Sequence, residues 1–139
     1  MPATTRQQAN AAATSTSAPA APPTSSLFPI FIEHSLLPSL LSRLCCAPID
    51  AVTLGPFVFG RSAMSQRVRN HERIHWLQWR ECLFIFFPLL YALSWAFQFC
   101  RHRDVGTSYR HNMFEQEAYS HERNAAYART RRPFAWMYR

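Results

Sequence analysis

At 139 residues and a formal charge of +7, the chain is large enough for one small domain and too small for an elaborate protease-style cleft. All 15 basic residues are arginine, and thirteen of them follow residue 60 against six acids, so the charge resides in the second half. Cys45, Cys46, Cys82 and Cys100 form no CxxC pair and the adjacent two are poorly placed to bridge each other, which argues against a disulfide framework and for a reducing, intracellular compartment.

Residues 1–26 are almost wholly Ala, Thr, Ser, Pro and Gln, with Arg6 the single charge. Such a stretch has too little apolar surface to offset its ordering entropy, so a disordered tail is expected ahead of a domain at 27–139. The tail lacks the basic-then-apolar layout of a secretory signal. Its acid-free Ser/Thr/Ala composition also resembles an organellar, for instance mitochondrial, transit peptide, with Arg6 alone where several arginines are the rule.

Along the domain the expected class is mainly α. Residues 27–46 predict one or two short amphipathic helices, on the core or at a membrane interface. Residues 50–59 are β-branched and aromatic and predict one short strand that Pro56 confines to an edge or bulge. A helix follows over 65–87, capped by Ser65 or Asn70 and ended or kinked by Pro88. Residues 89–100 predict a second, apolar helix; 101–112, charged and containing Gly106, a loop; 113–130 a further helix ended by Arg131-Arg132-Pro133. The aromatic end, PFAWMYR, is expected to fold back onto the core.

The residues that carry chemistry are His71-Glu72-Arg73-Ile74-His75, an HExxH motif on a predicted helix. Residues i and i+4 lie about 40° apart around a helix, so both imidazoles reach one ion. Glu72, about 100° to the side, is placed to act as general base on a metal-activated water. Zn2+ held by two His and one carboxylate keeps a position for that water and lowers its pKa to roughly 7. With six His and six Glu in the chain, chance supplies such a motif about once in a hundred sequences of this composition, so context decides.

The third ligand is a choice among carboxylates. A metzincin pattern requires Gly at 78 and His at 81, where the chain has Gln78 and Glu81, residues read as part of a solvated helix face. The candidates are therefore Glu115, Glu117 and Glu122. Glu115 and Glu117 stand about 200° apart on a helix, so only one faces the ion. Glu115 shares its face with small Ala118 and with Tyr119, which permits close approach to the HExxH helix, and it is preferred, then Glu117, then Glu122. Tyr109, His111, Tyr119 and His121 are candidate oxyanion stabilisers.

Four segments occur in a telling order: Thr53-Leu54-Gly55-Pro56-Phe57-Val58-Phe59, His71 to Gln78, Phe114 to Tyr119, and Pro133 to Trp136. In these the chain resembles a family of small uncharacterised HExxH proteins that run TLxPFxF, HExIHxxQ, FExEAY and PFAW over about residues 51–136. The resemblance implies a zincin-like mini-domain of gluzincin type, with a zinc metallopeptidase-like function and a peptide or protein substrate. The FExxA core is also similar to the third-ligand helix of membrane-bound gluzincins, whose first Glu binds zinc; carried over, this assigns Glu115. Those enzymes follow the Ala with Asp where Tyr119 stands here, which leaves the outer support of the site open.

Residues 82–100 are 19 residues without a charge, flanked by Arg80 and Arg101, which meets the usual test for a membrane-spanning helix. A straight span of about 28 Å would leave His75 and Glu115 on opposite sides of a bilayer, with a return segment too charged to pass through lipid. The metal site is therefore given precedence, and the run is expected to be a core helix or a hairpin broken at Pro88, with shallow membrane contact. The rival readings are a non-catalytic zinc-stabilised interaction domain and a metal-free small membrane protein. Nucleic-acid binding rests on charge alone and ranks last.

Overall fold

The structure is a computed structural model that describes residues 29–45 and 48–138; the tail expected at 1–26 lies outside them. The described chain is mainly helical, with a small sheet. Its elements are β1 (Ile30–Ile32), α1 (Leu37–Cys45), β2 (Ala51–Leu54), β3 (Phe57–Gly60), α2 (Gln66–Glu81), α3 (Phe86–His102), α4 (Val105–Arg110), α5 (Met113–His121), α6 (Tyr127–Thr130) and a closing 3-10 turn at Ala135–Met137.

The sheet runs β1-β3-β2, with β1 parallel and β2 antiparallel to β3. Two expectations change here. Ile30–Ile32, expected within a helix, is a strand paired through Phe31 opposite Val58. Residues 50–59 form a hairpin, because Gly55 adopts φ +57 and Gly55-Pro56 make its two-residue turn. Pro56 thus closes the turn, and β2 is left as an edge.

Ser65 caps α2, its hydroxyl accepting from the Val68 amide at 3.3 Å. The helix ends at Glu81, earlier than expected, in an elbow where Leu83 and Phe84 are both left-handed (φ 50 and 63). Their amides bond back to the Arg80 and Trp79 carbonyls at 3.2 and 2.9 Å, and the Phe84 ring packs against Trp76 and Trp79. Helix α3 then leaves at 112° to α2. Pro88 does not break the chain: it sits in the first turn of α3, where a missing N–H removes no intrahelical bond.

Further on, Asp104 accepts from the Thr107 amide and starts the short α4 inside the expected loop. The helix expected over 113–130 is two, because the chain turns at Glu122 and Asn124 accepts from the Ala126 amide ahead of α6. The core gathers Cys82, Phe87, Phe114 and Trp136, with Trp79, Leu90 and Tyr91 against them. Trp136 packs on Phe114 at 4.7 Å, so the aromatic end folds back as expected. Among the described residues no single helix is long and apolar enough to cross a membrane; α2 and α3 reach that length only as a bent pair.

Candidate metal centre

Helix α2 buries Asn70, His71, Glu72, Ile74, His75 and Gln78, five of them polar. An ordinary amphipathic helix turns such a stripe to water, because burying polar groups costs free energy unless each finds a partner. Here the partners come mainly from α5, whose buried face carries Glu115, Glu117 and Ala118. Ala118, fully buried, is the small residue expected at the contact.

His71 and His75, one turn apart, bring their Nε2 atoms to 3.1 Å. Glu115 closes the triangle: its Oε2 lies 3.3 Å from Nε2 of His71 and its Oε1 3.3 Å from Nε2 of His75. All three are buried, with one ligand atom from each within 4.8 Å of the others, a group able to hold a metal ion. Neither Glu117 nor Glu122 enters this triangle, so among the three candidate acids Glu115 is the one that meets the imidazoles.

The outer contacts define which ring nitrogens carry protons. The Gln78 amide nitrogen donates to the Phe114 carbonyl at 3.1 Å and to Glu117 Oε2 at 3.0 Å. Its oxygen therefore faces His75 Nδ1 at 2.8 Å, and Nδ1–H is the donor. On the other ring Nδ1 faces Glu122 Oε2 at 3.1 Å, a carboxylate that Arg67 also grips. With both rings neutral, their Nε2 lone pairs would meet at one point shared with a carboxylate. Glu115 Oε2 makes no hydrogen bond although it is buried. Converging lone pairs and an orphaned buried oxygen are what a cation relieves.

Without a metal, a proton takes part of that role. Burial disfavours the His75 cation, but the Glu115 charge and hydrogen bond outweigh it and raise its pKa to about 9. At Glu115 burial likewise opposes charge, and the two imidazoles overcome it, holding the carboxyl well below its usual range. The Tyr91 hydroxyl donates to Glu115 Oε1 at 2.8 Å. Burial and the neighbouring Glu115 push that phenol upward, so it stays a neutral donor.

Glu72 is buried at 5% exposure, and its Oε2 accepts from the Thr53 hydroxyl at 2.6 Å. Its alternative partners are occupied elsewhere: Arg69 pairs with Glu33, and Arg73 lies over the Phe31 ring. A cleft of about 290 Å³ opens beside it, lined by β2 together with Glu72, His75, Tyr109 and Glu115. A larger hollow of about 960 Å³ between α6 and the C-terminal turn holds none of these groups.

The other sequence candidates divide. Tyr109 lines the cleft, and the Tyr119 ring packs edge-on to His71 at 4.7 Å. His111 instead bonds the Thr107 carbonyl and packs on His102, and His121 stacks on Tyr127. Gln78 and Glu81 are not on a solvated face. Gln78 is fully buried, and Glu81 pairs with Arg131 and accepts from the Trp136 indole. Sequence reasoning passed over four residues at the centre's edge: Thr53, Gln78, Tyr91 and, as a support in place of a ligand, Glu122. Gln78 was within reach of pattern reading, since 71, 74, 75 and 78 form one helical stripe. Tyr91 was hidden in a run whose other residues signal membrane or core.

Comparison with protein-family models, curated proteins and solved structures finds no match to this chain.

Proposed function

We propose that the chain is a zinc-dependent hydrolase of metallopeptidase type, built as a zincin-like mini-domain. The observation that carries this reading is the convergence of His71, His75 and Glu115 with Glu72 beside them. Tetrahedral zinc with bonds of 2.0–2.1 Å separates its ligand atoms by about 3.3 Å; here the two Nε2 atoms are 3.1 Å apart, each has its own Glu115 oxygen at 3.3 Å, and one ligand atom from each residue lies within 4.8 Å of the others. Charge agrees: Glu72 and Glu115 are buried without an arginine, whereas Glu117 has Arg131 and Glu122 has Arg67. Two buried carboxylates with no permanently charged partner suit a divalent ion.

Zinc bound at such a set supplies a Lewis acid and makes water acidic near neutral pH. The chain's own residues do the rest. Glu72, oriented by Thr53, takes the proton of the attacking water and passes it to the leaving amine. Tyr91 and Glu122 hold a ligand each at fixed orientation. Tyr109, kept neutral by burial and by the charge of Glu115, is the phenol available to stabilise a developing oxyanion. The open edge of β2 beside the cleft suits an extended peptide, which would pair with it as an added strand.

Zinc stoichiometry on the wild type beside His71→Ala and Glu115→Ala tests the centre: one ion per chain is expected in the first and none in the variants. Glu72→Gln should keep zinc and fold while hydrolysis of quenched-fluorescent peptides falls by about 10²–10⁴. A wild type that binds zinc yet cleaves nothing would leave a structural zinc domain; full metal content in His71→Ala would end the reading.

A further inference from the structure

Helix α3 has its polarity reversed. From Leu83 to Cys100 every exposed residue is apolar: Leu83, Phe84, Ile85, Phe86, Pro88, Leu89, Ala92, Leu93, Ala96, Phe97 and Cys100. Two polar residues of the same stretch turn inward. Ser94 is buried and accepts from the Met113 amide, and Tyr91 reaches Glu115. Water is the wrong solvent for such an outer face.

The elbow adds to this. Leu83 is 69% exposed and Ile85 79%, although the turn that presents them needs two successive left-handed residues, each costing about 1 kcal/mol or more. A turn held at that cost by backbone bonds and by Phe84 projects two large aliphatic side chains from the surface. Exposed Arg80 precedes the apolar face, and exposed Arg101 and Arg103 follow it.

We infer that this face docks in the plane of an anionic lipid bilayer, with Ile85, Leu89, Leu93 and Phe97 among the acyl chains and the arginines at the phosphates. A 17-residue helix is about 25 Å long, and its inner side is covered by α4 and α5, so it lies flat and does not span. A second copy of the chain fits less well. Pairing two α3 faces antiparallel sets Arg80 against Arg101 and Arg103, parallel pairing sets each against itself, and Asp104 alone offsets them. Pro88 and Leu54, both exposed, belong also to the lining of the cleft, so docking brings the cleft's mouth to the membrane surface.

Flotation of the full-length chain with vesicles tests this without reference to any activity. Wild type should float with phosphatidylcholine vesicles containing phosphatidylserine, and less with phosphatidylcholine alone. The triple variant Ile85→Ser/Leu89→Ser/Leu93→Ser, its fold checked by circular dichroism, should lose about tenfold or more in partitioning. Arg101→Ala/Arg103→Ala should remove the preference for the anionic vesicles. Wild type that stays in solution with both vesicles overturns the inference, and so does sedimentation as a dimer that the triple variant dissociates.

Discussion

The metal-free and zinc-loaded proteins should respond to pH in opposite directions. In the metal-free protein His75 has its pKa raised from 6.5 to about 9 by Glu115 against the cost of burial. The folded state therefore binds this proton more tightly than the unfolded chain does. The resulting stability is fully present below pH 6.5 and is lost as pH rises through 9, and it amounts to roughly 3 kcal/mol. For a domain of this size that is on the order of 10 °C in melting temperature. Zinc requires the neutral ring, so in the loaded protein the same interval brings stronger binding and added stability. Thermal unfolding followed by circular dichroism at pH 6.5, 7.5 and 9, in chelator and in a zinc buffer, measures both slopes. Calorimetric titration at pH 7.5 in buffers of different ionisation enthalpy should show between one and two protons released per zinc, one from His75 and a further fraction from the acidified water. Glu115→Gln should flatten the metal-free slope. A metal-free melting temperature that is constant or rises over this interval would refute the assignment of His75 as proton holder.

Glu122→Ala removes the acceptor for His71 Nδ1 and should weaken zinc binding about 10- to 100-fold in a chelator competition while stoichiometry stays at one; unchanged affinity would mean the contact does not orient the ring. Gln78→Leu leaves the His75 Nδ1–H, the Phe114 carbonyl and one Glu117 oxygen without this partner. It should cost about 3 kcal/mol or more in urea unfolding, and a loss under 1 kcal/mol would count against the bridging geometry. Under the proposed hydrolase reading, Thr53→Val frees Glu72 and should lower kcat about tenfold with zinc content intact; equal kcat would show that Glu72 needs no such support.

Local signals in the sequence carried well where a short spacing defines geometry. The i, i+4 histidines and the 200° separation of Glu115 from Glu117 are consequences of the helix itself, and the structure brings Glu115, not Glu117, to the imidazoles. What failed was polarity as a guide to exposure. Gln78 and Glu81 read as solvated because polar residues usually are, yet they are held inside by Glu117 and Arg131. Boundaries failed for a related reason. Pro88 attracted the break that two left-handed residues take at the elbow, and Asp104 with Thr107 held a helix start that the charges around it disguised. Ile30–Ile32 is a strand only because β3 offers it a partner 27 residues away, which no local pattern records.

The two helices that meet at the elbow invert the usual rule in opposite senses, and the inversions are linked. Helix α2 buries a stripe of polar groups, and α3 leaves its largest apolar surface outside. Among the described residues the domain thus gives up apolar burial twice, which leaves the cluster of Cys82, Phe87, Phe114, Trp136 and their neighbours to hold α2, α3 and α5 together. Residues placed against their solvation preference persist when something absent from the free chain satisfies them. Between α2 and α5 the demand is two buried carboxylates without an arginine, and at α3 it is an outer face whose exposed residues are apolar. One calls for a cation and the other for an apolar phase. If both are met, metal and membrane each contribute folding free energy, and the chain stripped of both should be the least stable form.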